Sequence, residues 1–160
     1  MLTSRRDYLL RIIDEVSRIL GQVIFKRRAG ADQEALEMVV VGLQRLFNLE
    51  ADQVFLLTPD EHYSLLAGDE SEEFARDKIL LYAALSVEAG EVYARQGNRS
   101  MARATRINAL RFLLKAREEF STEGLPDYAP KVAPLLALLA DEMLDAATAR
   151  LLTPEDLTRP

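Results

Sequence analysis

Cysteine is absent from this 160-residue chain, and histidine occurs once. The first absence removes disulfides, thiolate metal sites and a cysteine nucleophile. The second leaves His62 beside Glu61 with no second histidine or spaced carboxylate pair to complete a metal site, so a surface or half-buried packing role is expected for it and no cofactor is implied. Long hydrophobic runs are missing too: nothing approaches the ~20 uninterrupted apolar residues of a membrane span. Over Met1 to Leu20 the apolar run after Arg5 and Arg6 is cut by Arg11, Asp14, Glu15 and Arg18, so no secretion signal is expected. Phosphate-loop, nucleophile-elbow and paired-histidine zinc motifs are all absent, and Glu118-Glu119 and Asp141-Glu142 are adjacent in sequence instead of facing each other across one helix turn. The expectation is a cytoplasmic protein without catalytic chemistry of its own.

Positive charge is scarce overall, with 20 Lys and Arg against 26 Asp and Glu and a net charge of −6. An acidic domain is a poor match for a polyanion, so nucleic acid is not an expected partner. The charge is also segregated: residues 51 to 90 hold nine acids against two bases, and residues 91 to 120 hold seven bases against three acids.

What is present is helical periodicity, and no strand pattern competes with it. Tyr8, Leu9, Ile12, Ile13, Val16, Ile19, Leu20 and Val23 recur at spacings of three and four, predicting a long amphipathic helix from Thr3 or Ser4 to Arg28. The cations Arg5, Arg6, Arg11 and Arg18 would suit a membrane-surface helix, but its acids and the helix that follows argue against that. Gly30 stops it, and a second helix from Asp32 to about Asn48 must fold back as a hairpin across so short a connection. Leu49 to Leu57 reads as a short helical turn or irregular connection. Thr58-Pro59-Asp60-Glu61 combines a cap, a first-turn proline and a capping-box glutamate, so a short helix to about Leu66 is expected, with Tyr63 in the core.

A third long helix is predicted from about Ser71 to Arg95, stopped by Gly97, and a fourth from Asn98 or Ser100 to about Phe120. Pro130 and Pro134 place the start of the last helix near Pro134, running to about Leu151 as a cap, because proline inside a helix loses a hydrogen bond and clashes with the preceding turn. Thr153-Pro154 opens a final helical turn or frayed tail within 152–160. The domain is therefore read as one all-α unit over 1–160, with hairpins at about 3–48 and 71–120 and a capping helix at about 134–151.

Aligned with itself at an offset of 67, the sequence brings Gly30 onto Gly97, Ala35 onto Ala102 and Gly42 onto Ala109. Small residues at these points let helix backbones approach closely. The segment Ala84 to Leu110 resembles a tetratricopeptide (TPR) unit, with Gly90 and Tyr93 on the first helix, Gly97 and Asn98 in the turn, and Ala102 and Ala109 on the second. It departs from that family at Ser86, Ala89, Arg106 and Leu114. Residues 16–43 look like a more degenerate copy, and the offset is close to twice the ~34-residue repeat period. The resemblance implies antiparallel hairpins in a short right-handed TPR-like array of an uncharacterised bacterial type, serving as a protein-interaction module.

Carried over position by position, the resemblance puts Ser17, Leu20, Ile24, Arg27 and Arg28, with Ala84, Val87, Glu91, Ala94 and Arg95, on a concave partner-binding face. Leu20, Ile24, Arg27, Arg28, Glu91 and Arg95 are the candidate binding residues. Arg28 and Arg95 are equivalent under the offset, and their planar guanidinium forks would suit an acidic protein or peptide. The simpler alternative is that both stabilise the last turns of their helices. Arg99, Arg103, Arg106 and Arg117 form a second basic stripe, either paired with Glu70, Glu73 and Asp77, or solvated, or open to an anion. The alternatives to an adaptor are a homo-oligomer, including a homodimer, or a small-ligand or enzymatic site in the groove between helices.

Overall fold

The computed structural model describes residues 2–68 and 71–158; Met1, Asp69, Glu70, Arg159 and Pro160 lie outside them, and with Glu70 one member of the expected acidic stripe. Among the described residues there are nine helices and no strand. Four of them form the body: α1 (Leu2–Arg28), α2 (Asp32–Phe47), α5 (Glu72–Arg95) and α6 (Arg99–Glu119). Between these lie α3 (Ala51–Leu56) and α4 (Pro59–Ala67), and after them α7 (Val132–Leu138), α8 (Ala146–Ala149) and α9 (Pro154–Thr158).

The two turns between the long helices are built alike. Gly30 has φ +78° and Gly97 φ +77°, left-handed values at which a side chain would be strained. The amide of Gly30 donates to the carbonyl of Arg27 and that of Ala31 to Lys26, at 3.0 and 2.9 Å; Gly97 donates to Ala94 and Asn98 to Tyr93, at 3.1 and 2.9 Å. Every partner in the second set is the first shifted by 67, and this pairing is the one that satisfies orphan carbonyls at a helix C-terminus. Even the next bond repeats, Ala35 to the carbonyl of Ala31 and Ala102 to that of Asn98.

Helix directions follow from contacts across the body. Lys26 pairs with Glu34 at 2.7 Å and Arg45 with Glu15 at 2.6 Å, so α1 and α2 are antiparallel. Tyr82 stacks on Phe112, while Glu91 meets Arg106, so α5 and α6 are antiparallel too. Arg6 lies over the ring of Phe74 and Arg27 pairs with Glu88, which sets α1 parallel to α5. Ala35, Ala102 and Ala109 are buried at these crossings, and a methyl group at Gly42 would come within 3.0 Å of Leu85 and 3.3 Å of Ile19.

Helix α5 is the centre of the molecule. It contacts α1, α2, α4 and α6, and Ile79 to Leu85 is an unbroken buried run. A helix apolar on every side is one surrounded by others. Ser71 accepts from the amide of Phe74 and caps its start, as Asn98 caps α6 through Met101. The capping box of Thr58 and Glu61 forms as expected.

Three expectations need correction. No single helix covers 134–151: α7 begins earlier, at Val132, and ends at Leu138, and only Ala146–Ala149 of the remainder is helical. Pro134 sits in the first turn of α7, where its missing amide hydrogen has no intrahelical role. The break is held by Arg103, which bonds Glu142 at 2.7 Å and the carbonyl of Met143 at 3.3 Å, and by Asp145, which caps α8 through Thr148. Tyr8, expected in the apolar stripe of α1, is exposed. His62, expected at the surface or half-buried, is a core residue. Its Nε2 lies 2.7 Å from the carbonyl of Val54, which only accepts, so Nε2 carries the proton and Nδ1 accepts from the Tyr82 hydroxyl at 3.2 Å.

Candidate functional site

The residues that the repeat resemblance put on one face are divided by the structure. Leu20 is in the core, and Ile24 is half-buried and packs against it. Neither is offered to a partner. Arg27 on the last turn of α1 pairs with Glu88 of α5, and Arg95 on the last turn of α5 bonds both the carbonyl of Arg27 and the carboxylate of Asp32. Glu91 meets Arg106 at 3.3 Å. Arg27 and Arg95 join the two helix pairs near their turns, whereas Glu91 ties α5 to α6 within the second pair; of the six, Arg28 alone is exposed without an ion pair among the described residues.

Three members of the second basic stripe are engaged as well, but not by Glu73 or Asp77. Arg103 takes Glu142, and Arg117 holds Asp156 through two bonds of 3.1 and 2.8 Å plus the carbonyl of Leu151 at 3.3 Å. Asp77 instead meets its neighbour Arg76 at 3.0 Å, and burial pushes its carboxyl above the ordinary value. Arg99 is exposed.

The outer surface of the first helix pair carries what the periodicity argument passed over. Phe25 lies on the polar side of α1, off the stripe that contains Val16, Leu20 and Val23, and it is 70% exposed. Gly21, one turn earlier, leaves open space where a Cβ would stand. Together with Arg18, Gln22, Lys26 and Met38 they line a shallow depression of about 580 Å³. Its two charged residues are both cations, though Lys26 also reaches Glu34 at 2.7 Å. The signal in the sequence was a phenylalanine out of phase with the apolar stripe, flanked by Arg18, Lys26 and Arg28.

Other polar groups settle into packing. The phenol of Tyr63 donates to Glu119 while the ammonium of Lys115 sits 3.9 Å over its ring, and burial raises its pKa. No cluster of three or more His, Cys, Asp or Glu that would hold a metal occurs among the described residues, and no described helix is long and apolar enough to cross a membrane. Comparisons of the chain with protein-family profiles, curated proteins and solved structures return no match.

Proposed function

We propose that the chain is a TPR-like protein-interaction module, a rigid cytoplasmic adaptor without chemistry of its own. It binds an acidic protein segment that carries an apolar anchor. The repeat likeness is supported by the two turns, whose hydrogen bonds coincide under a shift of 67 residues. The observation that carries the binding role is Phe25, a largely exposed aromatic beside the gap at Gly21 and between the cations Arg18 and Lys26. Aromatic side chains in such settings supply most of an interface's energy, and a rim of one charge sign selects the partner. The array is not an open one at α5, whose middle is enclosed, so the docking surface moves from the inner face of the first helices to the outer face of α1 and α2.

The test is a comparison of two baits in lysate of the native host, the intact chain and Phe25→Ala, with circular dichroism confirming that both fold. A protein retained by the first and lost from the second supports the reading. Equal capture by both overturns it.

A homodimer has one observation in its favour. Asp7, Arg11, Asp14 and Arg18 alternate in sign along the exposed face of α1. An antiparallel second copy centred on that face sets Asp7 against Arg18 and Arg11 against Asp14 in both directions, an isologous match. Light scattering at low and high salt distinguishes it, since such a dimer dissociates as salt rises.

A further inference from the structure

The geometry points to a binding site for a medium-chain amphiphilic monocarboxylate in the cleft between the N-terminal half of α5, the C-terminal half of α6 and the start of α7. Leu80 of α5, Leu113 and Ala116 of α6, Leu125 of the following loop and Val132 of α7 form the apolar walls of a cavity of about 290 Å³. That lies at the small end of the ~300–1,000 Å³ range of ligand pockets, room for one short hydrocarbon chain and its headgroup.

Its charged lining residues are Arg76, Arg117 and Lys131, and no acid is among them. Behind the wall two of the cations are matched. Arg76, buried, bonds Asp77 and the carbonyls of Ser121, Glu123 and Gly124, which also fixes the loop that closes one end of the cleft. Four of its five donors are thereby used, leaving one on Nη2. Arg117 is matched by Asp156 and keeps its Nε and one Nη1 hydrogen. Lys131 is exposed at the mouth and makes no ion pair among the described residues. With two pairs neutral and one ammonium over, the lining cations and their paired acids leave a single positive charge, which a monoanion balances and a cation worsens, although Glu155 stands close to Arg117 outside the cleft. A carboxylate at the mouth accepts from Lys131 and from the spare guanidinium hydrogens while its chain lies along Leu80 and Leu113.

This site is separate from the surface around Phe25, so the two stand or fall independently. The experiment is isothermal titration of the full chain with octanoate, octylammonium and octanol, which share a tail and differ in headgroup charge. Octanoate is expected to bind once per chain with a Kd below about 1 mM. Octylammonium is expected to bind at least about tenfold more weakly, and Lys131→Glu to lose about tenfold in octanoate affinity with its circular dichroism unchanged. Ala116→Leu fills the cleft and abolishes binding; should it fail to fold, Ala129→Leu fills the same space from the loop side. Phe25→Ala leaves octanoate affinity unchanged. Equal affinity for octanoate and octylammonium, full affinity in Lys131→Glu, or no saturable octanoate binding below about 1 mM overturns the assignment.

Discussion

Arg95, at the end of α5, bonds the side chain of Asp32, the first residue of α2, so the last turn of the third long helix is tied to the first turn of the second. About two turns earlier on α5, Glu88 pairs with Arg27. The two ion pairs differ in burial: the Arg95 side chain is 44% exposed, whereas those of Arg27 and Glu88 are 22% and 14% exposed. An exposed pair is screened and contributes little, whereas removing one member of a shielded pair strands the other. Arg95→Ala should therefore lower unfolding stability by less than ~1 kcal/mol. Arg27→Ala should lower it by roughly 2 kcal/mol. Urea titrations of the two variants check the order, and equal losses would remove burial as the deciding factor.

The near identity of the two turns gives a stabilising substitution. Asn98 accepts from the amide of Met101 at 3.2 Å, while its equivalent Ala31 has no side-chain oxygen to cap α2. The backbone angles match closely, φ −83° and ψ 68° at Ala31 against φ −87° and ψ 79° at Asn98. Ala31→Asn should raise stability by about 1 kcal/mol by capping the amide of Glu34, and Asn98→Ala should lower it by a similar amount. Denaturant midpoints measure both, and no gain in the first would mean that the two caps are not interchangeable.

Alkaline stability is set by buried phenols. Burial pushes the pKa of Tyr82 up from 10.0 to about 12, and those of Tyr63 and Tyr128 also rise through burial. A folded pKa above the unfolded one means that the native state binds its proton more tightly. This stabilisation is complete below pH 10 and is lost as pH climbs from 10 to about 12. Loss of helix, followed by far-ultraviolet circular dichroism, should coincide with tyrosinate absorbance in that window. In Tyr82→Phe the loss should begin later and be shallower, with a cost at neutral pH of about 1 kcal/mol for the hydrogen bond to His62. An unchanged alkaline midpoint in that variant would clear Tyr82 of the role.

The body of the fold was legible because its punctuation is local. Gly30, Gly97, Ser71, Asn98 and the Thr58-Pro59-Asp60-Glu61 run each act within one turn of where they stand, and the helix bounds they predict agree with the structure to within a residue or two. The C-terminal region was not legible, because long-range partners override its propensity. The leucine-rich stretch from Leu135 to Leu144 reads as helix, yet Arg103 holds Glu142 and Met143 against α6 and the chain must bend to bury Leu139 and Thr148 together. The face expected from the repeat resemblance dissolved for a similar reason: Arg27, Arg95 and Glu91 all find acids or bases on neighbouring helices. The cleft beside Lys131 was invisible to any motif, since its walls come from α5, α6, α7 and the loop between the last two.

Acid should release the C-terminal tail before the body unfolds. Two bonds from Arg117, together with capping contacts to Thr153, hold the carboxyl of Asp156 down at about 2, below its ordinary 3.8. A folded pKa below the unfolded one makes the stabilisation complete above pH 4 and lost as pH falls from 3.8 to about 2. The four-helix body does not depend on this pair, because its core is held mainly by apolar side chains and Asp156 bonds to it through Arg117. Protection from hydrogen exchange at residues 152–158, taken relative to the intrinsic amide rate at each pH, should therefore fall near pH 3 while α5 stays protected, and Arg117→Met should produce the same local loosening at neutral pH. If the tail and α5 instead exchange together as pH falls, the C-terminal segment is part of one cooperative unit and the Asp156 pair is not its latch.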